Sequence, residues 1–369
     1  MKKLLIQAAF IFSVSNAFAQ MDLPPSGGNP RATISEEVGI TSITIKYSRP
    51  DVNKREGKIW GDGNTVPYGF KEQSLLTNKN TAPWRAGANE NTVITFEHDV
   101  KVEGKDLRAG SYGLFMAMGA DHVTLIFSNQ FEAWGSFYYD EKYDALRVNV
   151  KPVALDKSVE WLKYEFIEHK EKYCVLALQW EKLLVPFKVE VDVENIVLAR
   201  MRDQVTGQKG FNSFNMLGAA QYFIGKNINL EEALAWSQRA AGTKTFATLN
   251  NLGTNYTKLN RLVQADSTMN EALVFAGPNQ YMGHGRSLIT QKRLERALEI
   301  FNANQKKNGD VYAVNAGYMS YYSAKGDFKK ALEYADKALA QAPNEGTKST
   351  INGFIVKLKE GKDINAPNP

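Results

Sequence analysis

Four alanines, Ala233, Ala265, Ala297 and Ala331, recur along the C-terminal half at spacings of 32, 32 and 34 residues. Each stands in a segment reading roughly x-A-L-x-x-x-x-x-A after a helix-turn signal. A period in this range marks stacked helix pairs: one pair cannot bury its apolar face alone, so neighbours stack into a solenoid. Such arrays present surfaces. The period names neither a ligand nor a reaction.

The N-terminus carries an address. Met1-Lys2-Lys3, the mostly apolar run Leu4–Val14 and the triplet Ala17-Phe18-Ala19 read as a secretory signal peptide over 1–19, cut before Gln20. No later segment reaches ~18 consecutive apolar residues, so no membrane span is expected. No cysteine follows the cleavage site, which argues against a lipid anchor. The expectation is a soluble protein exported to the periplasm or the extracellular space. The single Cys174 cannot form an internal disulfide, and its setting Tyr173-Cys174-Val175-Leu176 reads as a buried strand. Charge divides the chain: Gln20–Ala199 sums to −5 and Arg200–Pro369 to +8. This asymmetry suggests separate domains. The charges are scattered and the chain is read as exported, so nucleic acid is not an expected partner.

From about Gly39 to Asp192 the pattern is β. Short β-branched or aromatic runs, among them Val93–Phe96, Tyr112–Met118, Val123–Phe127, Val159–Ile167, Tyr173–Trp180 and Val185–Val191, are punctuated by Gly, Asn and Asp. Strands at this spacing without intervening helices mean an antiparallel sandwich or barrel, and the pattern does not separate the two. After Val191 the period changes from 2 to 3.6. The expected class is therefore α+β and multidomain: an all-β domain over 20–192, a linker over 193–210, four helix pairs and a capping helix over 211–361, and a loose tail over 362–369.

The helix pairs resemble tetratricopeptide repeats (TPRs). Leu252-Gly253, Tyr256, Ala265 and Ala272 fall at the family's spacing, with Pro278 one position late; Tyr322, Ala331, Ala338 and Pro343, and then Gly285, Leu288, Ala297 and Phe301, repeat the pattern. The resemblance implies a protein or peptide partner on the concave face formed by the first helix of each pair. By register Tyr222, Lys226, Asn250, Lys258, Asn279 and Arg286 would point there, as donors for a peptide backbone or carboxylate. The competing view is an ordinary polar surface or a face covered by the β domain.

The β half holds a denser string: Ser48-Arg49-Pro50, Lys58-Ile59-Trp60-Gly61, Val66-Pro67-Tyr68-Gly69, Trp84-Arg85-Ala86-Gly87 through Thr92, Asp99–Val102, Gly104–Leu107, Ala109–Phe115, Trp134-Gly135 and Tyr139-Asp140-Glu141. These stretches resemble the bacterial family known as domain of unknown function 2911, over about Pro24 to Asp192. The family runs almost directly from Val-Pro-Tyr-Gly to Trp-Arg; here Phe70–Pro83 intervene, as an expected polar surface excursion. The resemblance implies a bacterial exported protein of Bacteroidetes-like lineage and supplies no activity.

Arg49, Trp60, Tyr68, Trp84, Arg85, Asn89, Glu90 and Tyr138 combine planar rings with planar hydrogen-bonding heads, which suits a carbohydrate or a small carboxylated ligand. Equally, the tryptophans could plug the end of the β domain and Arg85–Glu90 or Arg49–Asp51 could pair to order the loops. Glu90 with Asp140 or Glu141 is the candidate acid/base pair for catalysis. His98, His122, His169 and His284 form no metal-ligand spacing, and there is no Gly-x-Ser-x-Gly elbow or phosphate loop, so no metal or cofactor is expected. The leading expectation is an exported, non-enzymatic binding or scaffold protein. Its β domain would hold a small ligand or glycan or a partner, and its repeats would hold a protein. A carbohydrate-active or other small-molecule enzyme in the β domain and a purely structural envelope component are the alternatives.

Overall fold

The computed structural model describes residues 28–75 and 78–366. The expected leader at 1–19 lies outside the described residues. The chain divides between Arg200 and Met201 into two compact units. The division falls inside helix α1 (Val193–Thr206), which occupies most of the expected linker.

The first unit holds twelve described strands: β1 (Arg31–Val38), β2 (Thr41–Ser48), β3 (Lys71–Leu75), β4 (Asn78–Ala82), β5 (Thr92–Phe96), β6 (Val100–Val102), β7 (Lys105–Leu107), β8 (Gly110–Ala117), β9 (Val123–Ser128), β10 (Asp144–Val150), β11 (Val153–Lys170) and β12 (Tyr173–Val191). One antiparallel sheet runs β1-β2-β5-β8-β9-β10, a second runs β11-β12-β6-β7, and β3–β4 is a separate hairpin. Among the described residues no ladder joins the two large sheets, so the unit is a sandwich and not a closed barrel. Alternation drives this arrangement. Ile43 and Ile45 on β2, Ile94 and Phe96 on β5, and Leu114 on β8 are wholly or almost wholly buried. The Phe127 ring of β9 meets Phe187 of β12 edge-on at 6.3 Å and ties one sheet to the other.

Two sequence expectations change in detail. The runs Tyr173–Trp180 and Val185–Val191, read as separate strands, form the single strand β12. The break between them is a kink at Glu181, φ 50°, and the extra residues of the bulged register lie opposite it on β11, where Ala154, Val159 and Lys163 pair with Leu183, Glu181 and Gln179. The buried Glu181 carboxylate accepts the Lys182 N–H at 2.7 Å, satisfying the donor that the kink would strand. Strand β1 precedes the expected start of the β region, because Glu36 interrupts its apolar alternation. The excursion Phe70–Pro83 is largely the hairpin β3–β4. Cys174 is fully buried and burial pushes its thiol up to about 12, so it is an inert part of the core.

The second unit is an array of helices: α2 (Ser213–Lys226), α3 (Leu230–Ala241), α4 (Phe246–Lys258), α5 (Leu262–Val274), α6 (Pro278–Thr290), α7 (Leu294–Asn308), α8 (Tyr312–Ala324), α9 (Phe328–Ala340) and α10 (Glu345–Lys359). They pack as the pairs α2/α3, α4/α5, α6/α7 and α8/α9, with α10 against α9. This is the TPR-like architecture read from the alanine period. Ala233, Ala297 and Ala331 are completely buried and Ala265 nearly so. Phe301 of α7 is the wedge between pairs. A Cβ on Gly285 of α6 would collide with its ring, and one on Gly317 of α8 would come within 2.6 Å of it. Lys307 closes the end of α5 by donating to the carbonyls of Leu273, Val274 and Ala276 at 3.1–3.2 Å, where the helix leaves acceptors unpaired.

The tail expected to be loose is tied down through Asn365. Asp363 accepts from the Ser323 hydroxyl at 2.8 Å, Asn365 Nδ2 donates to the Ser320 carbonyl at 2.9 Å, and Ile364 joins the last core cluster. Gly317→Ala should destabilise the helical unit by about 1–3 kcal/mol through overpacking. Gly283→Ala, whose Cβ meets nothing within 4 Å, should stabilise it by roughly 0.5–1 kcal/mol. Urea midpoints of the two variants check this; shifts of the same sign would contradict it.

Candidate functional site

In the β unit the motif loops fold onto one another. Trp84 exchanges both backbone hydrogen bonds with Met116 of β8, at 3.1 and 2.8 Å, which extends the sheet beside β5. This brings Trp84 to Trp60 and Trp180: Trp60 meets both edge-on, with centroids 5.6 and 5.5 Å away, while Trp84 and Trp180 lie near-parallel at 6.0 Å. The rings use their faces on each other, and the Trp84 indole N–H donates to the Gly87 carbonyl at 3.0 Å. Ala86 is buried in a left-handed conformation, φ 53°. Its carbonyl accepts from Thr92 Oγ1 at 3.0 Å and from the Tyr164 hydroxyl at 2.8 Å, which holds that strained turn in place.

The polar candidates are spent in the same way. Arg85 donates to the Asn89 carbonyl at 2.8 Å and lies over the Phe137 ring at 5.6 Å; burial pushes its pKa down. Gly135 is required beneath it, because a Cβ there would approach Arg85 Nη1 to 2.5 Å. Arg49 donates through Nε to the Leu162 carbonyl at 2.9 Å. Neither expected ion pair forms. Glu90 pairs with Arg31 and accepts from the Ser48 hydroxyl at 3.1 Å, while Asp51 pairs with Arg55. Burial works against the charge on Glu90, but hydrogen bonds from Arg31, its own backbone N–H and Ser48 outweigh it and hold its carboxyl below the usual range. A group ionised at neutral pH has no proton to donate as a general acid. Asp140 and Glu141 face Lys142 and Arg147, not Glu90.

Of the eight ligand candidates, the structure joins Trp60 to Trp84 and Arg85 to Asn89. Tyr68 and Tyr138 remain exposed, and Glu90 alone lines a shallow hollow of about 290 Å³ with Arg31, Lys46 and Ser48. The sequence reading did not find Trp180, nor the cluster of Tyr139, Asp144 and Arg147. Tyr139 donates to Asp144 at 2.8 Å, Arg147 Nε donates to the same Asp144 oxygen at 2.6 Å, and Arg147 Nη2 donates to the Tyr139 hydroxyl at 2.8 Å. Burial raises the Asp144 pKa. Tyr139 and Arg147 stand in or beside the family-like motif string, which was the available signal. Among the described residues no group of three or more His, Cys, Asp or Glu could hold a metal ion.

In the helical unit α2 packs against α4 and α6 against α8, but α4 and α6 part around a cleft of about 290 Å³. Asn250, Thr254 and Thr257 line it from α4, Gln280, Gly283, His284 and Ser287 from α6 with Gln291 at its C-terminal cap, and Phe246, Gly253 and Met269 form its apolar floor. His284 Nε2 is buried with no hydrogen-bond partner among the described residues. Burial, then the charge of Arg296, lowers its pKa to about 4, with Asp266 opposing and Arg293 adding to the effect. Of the six docking candidates only Asn250 lines this cleft. Arg286 instead tethers α6 to α8, donating to Ser320 Oγ at 3.0 Å and to the Ala316 carbonyl at 3.3 Å. Tyr222 packs edge-on against Phe223, and Lys226, Lys258 and Asn279 are exposed.

Comparison with known proteins divides along the same boundary. Residues 29–189 match the family described as protein of unknown function DUF2911. The DUF2911 region thus covers the sandwich from before β1 into β12. Three solved structures show a likeness. The Cut9–Hcn1 hetero-tetramer of the APC/C is 13% identical, over 45% of this chain and 33% of that one, with a TM-score of 0.33. A tetratricopeptide repeat protein from Parabacteroides merdae ATCC 43184 is 18% identical over 46% and 68%, at 0.32. YrrB, described as a TPR protein with an unusual peptide-binding site, is 16% identical over 45% and 86%, at 0.29. This chain spans about a third of the Cut9–Hcn1 chain. No curated protein matches the sequence. Likeness at this level says nothing of a ligand; the helix pairs themselves carry the repeat architecture. No helix among the described residues is long and apolar enough to cross a membrane.

Two outcomes are expected from these contacts. Arg147→Met leaves the buried Asp144 without its cation and should destabilise the β unit by roughly 1–3 kcal/mol. Arg31→Met, which removes an exposed partner of Glu90, should cost about 0–1 kcal/mol. Equal losses in denaturant titrations would show that Asp144 is not held by Arg147. For His284 the folded pKa of about 4 lies below the ordinary 6.5. Its contribution is therefore complete above about pH 6.5 and is lost as pH falls towards 4, amounting to on the order of 2–3 kcal/mol. His284→Gln should flatten that part of the stability–pH curve, and an unchanged slope would assign it to other groups.

Proposed function

We propose that this chain is an exported, non-enzymatic scaffold whose helical repeats hold a segment of a partner protein in the cleft between α4 and α6. The cleft carries the reading. It lies on the first helices of two successive pairs, has an apolar floor and a polar rim, and contains a buried imidazole nitrogen without an internal partner. A concave lining that combines an apolar base with convergent polar groups is of the kind a ligand completes. In the β unit Arg49, Trp84, Arg85 and Asn89 are engaged by their neighbours, while the buried indole N–H groups of Trp60 and Trp180 have no partner among the described residues and Tyr68 and Tyr138 are exposed; the internal bonds favour a rigid structural or docking module there. Export rests on the basic start, apolar run and Ala17-Phe18-Ala19 triplet.

A photo-cross-linking residue placed at Thr254 or Gln291, in cells that make the full chain, should give a discrete adduct with a partner. The same residue at Lys329, an exposed position on α9 outside the cleft, should give none. Equal adducts from all three positions, or none from the first two, would remove the cleft from the function. Cell fractionation checks the address: recovery of the full-length chain from the cytoplasm with its leader intact would contradict export.

A further inference from the structure

Helix α6 and its C-terminal cap set Gln280, His284, Ser287 and Gln291 on one stripe, at successive spacings of four, three and four residues, and α4 faces it with Asn250, Thr254 and Thr257 at four and three. Every one of these groups is a hydrogen-bonding side chain without a formal charge at neutral pH, His284 included. The cations behind the stripe are already answered: Arg293 pairs with Asp266, and Arg296 with Glu299. Gly283 sits in the same stripe. A glycine inside a helix costs about 1 kcal/mol relative to alanine. Gly285 and Gly317 repay that cost by admitting Phe301, whereas a Cβ on Gly283 would meet nothing within 4 Å. Its bare backbone faces the cleft. Gly218 and Gly353 are equally open, but neither lines this cleft.

Building on the cleft reading above, we infer that the partner segment is an uncharged, extended stretch of polypeptide, read through its backbone amides where it crosses Gly283, with one apolar side chain seated against Met269 and Phe246. At 1.5 Å per helical residue the lining stretches 250–257 and 280–291 rise about 10 and 16 Å, and an extended chain rises about 3.3 Å per residue, so the cleft spans roughly three to five residues. Asn250 can offer both a donor and an acceptor to a strand backbone; Gln280, whose carbonyl accepts the Gly277 N–H at 2.7 Å, keeps its side-chain N–H groups as donors, and Gln291, which donates to Ser287 Oγ at 3.1 Å, keeps its carbonyl and a second N–H. A carboxylate or ammonium entering this space would lose hydration without meeting an opposite charge, so charged segments are rejected.

The test uses the full chain and three randomised pools of peptides of about ten residues. One is built from Gly, Ser, Thr, Asn, Gln, Val and Leu; the others add Glu or Lys. The neutral pool should be retained at least about tenfold better than either charged pool. Retention should change less than about twofold between roughly 50 and 500 mM salt, and Gly283→Trp, which fills the cleft, should abolish it. If Gly283→Trp does not fold, Ser287→Tyr on the same stripe serves instead. Preference for a charged pool that is still blocked by Gly283→Trp would overturn this inference and leave the cleft as the binding site. Retention of no pool, or retention indifferent to both variants, would overturn the cleft reading as well.

Discussion

The helical unit depends on one steric fit, the Phe301 ring lying where Gly285 and Gly317 have no side chain. Two helices can approach closely only if one is bare where the other is bulky, and a fully buried ring then fills the space. Phe301 stands four residues after the buried Ala297, so the alanine period and the wedge belong to one packing scheme. The pairs α6/α7 and α8/α9 close tightly around it. One step earlier Met269 takes the corresponding place against Gly253 of α4, but no glycine of α6 abuts it, and the cleft opens between α4 and α6.

The β unit follows a different economy. Its strands are ordinary antiparallel ladders, but the loops that cover them are held by side chains reaching backbone carbonyls: Arg85 to Asn89, Trp84 to Gly87, Arg49 to Leu162, and Thr92 with Tyr164 to Ala86. Long loops leave backbone groups that no ladder pairs, and these side chains supply the partners. Several residues that look like a binding kit in the sequence, Arg49, Trp84 and Arg85, therefore fasten loops in the fold. The same types, Arg, Trp and Asn, do both tasks, because both need planar groups with directional hydrogen bonds.

The cleft residues were legible in principle. Gln280, His284, Ser287 and Gln291 fall at helical spacing, as do Asn250, Thr254 and Thr257. Repeat register instead pointed to Arg286, since register ranks positions by their place in a motif and not by what neighbouring helices do. Arg286 is drawn against α8 because Ala316 and Ser320 present acceptors there. His284 went unnoticed because its distinguishing property, an unpartnered buried nitrogen, exists only after packing.

Local pattern alone determined the change from strand to helix after Val191, the number of helix pairs and the burial of the four alanines. These follow from side-chain periodicity, which is set within a few residues. Tertiary structure decided that the sandwich does not close into a barrel, that Tyr173–Val191 is one continuous strand, that Glu90 takes Arg31 as its partner, and that the array opens at α4 and α6. Each of these is a contest between distant groups for the same contact. Its outcome depends on distances between elements that no local pattern encodes.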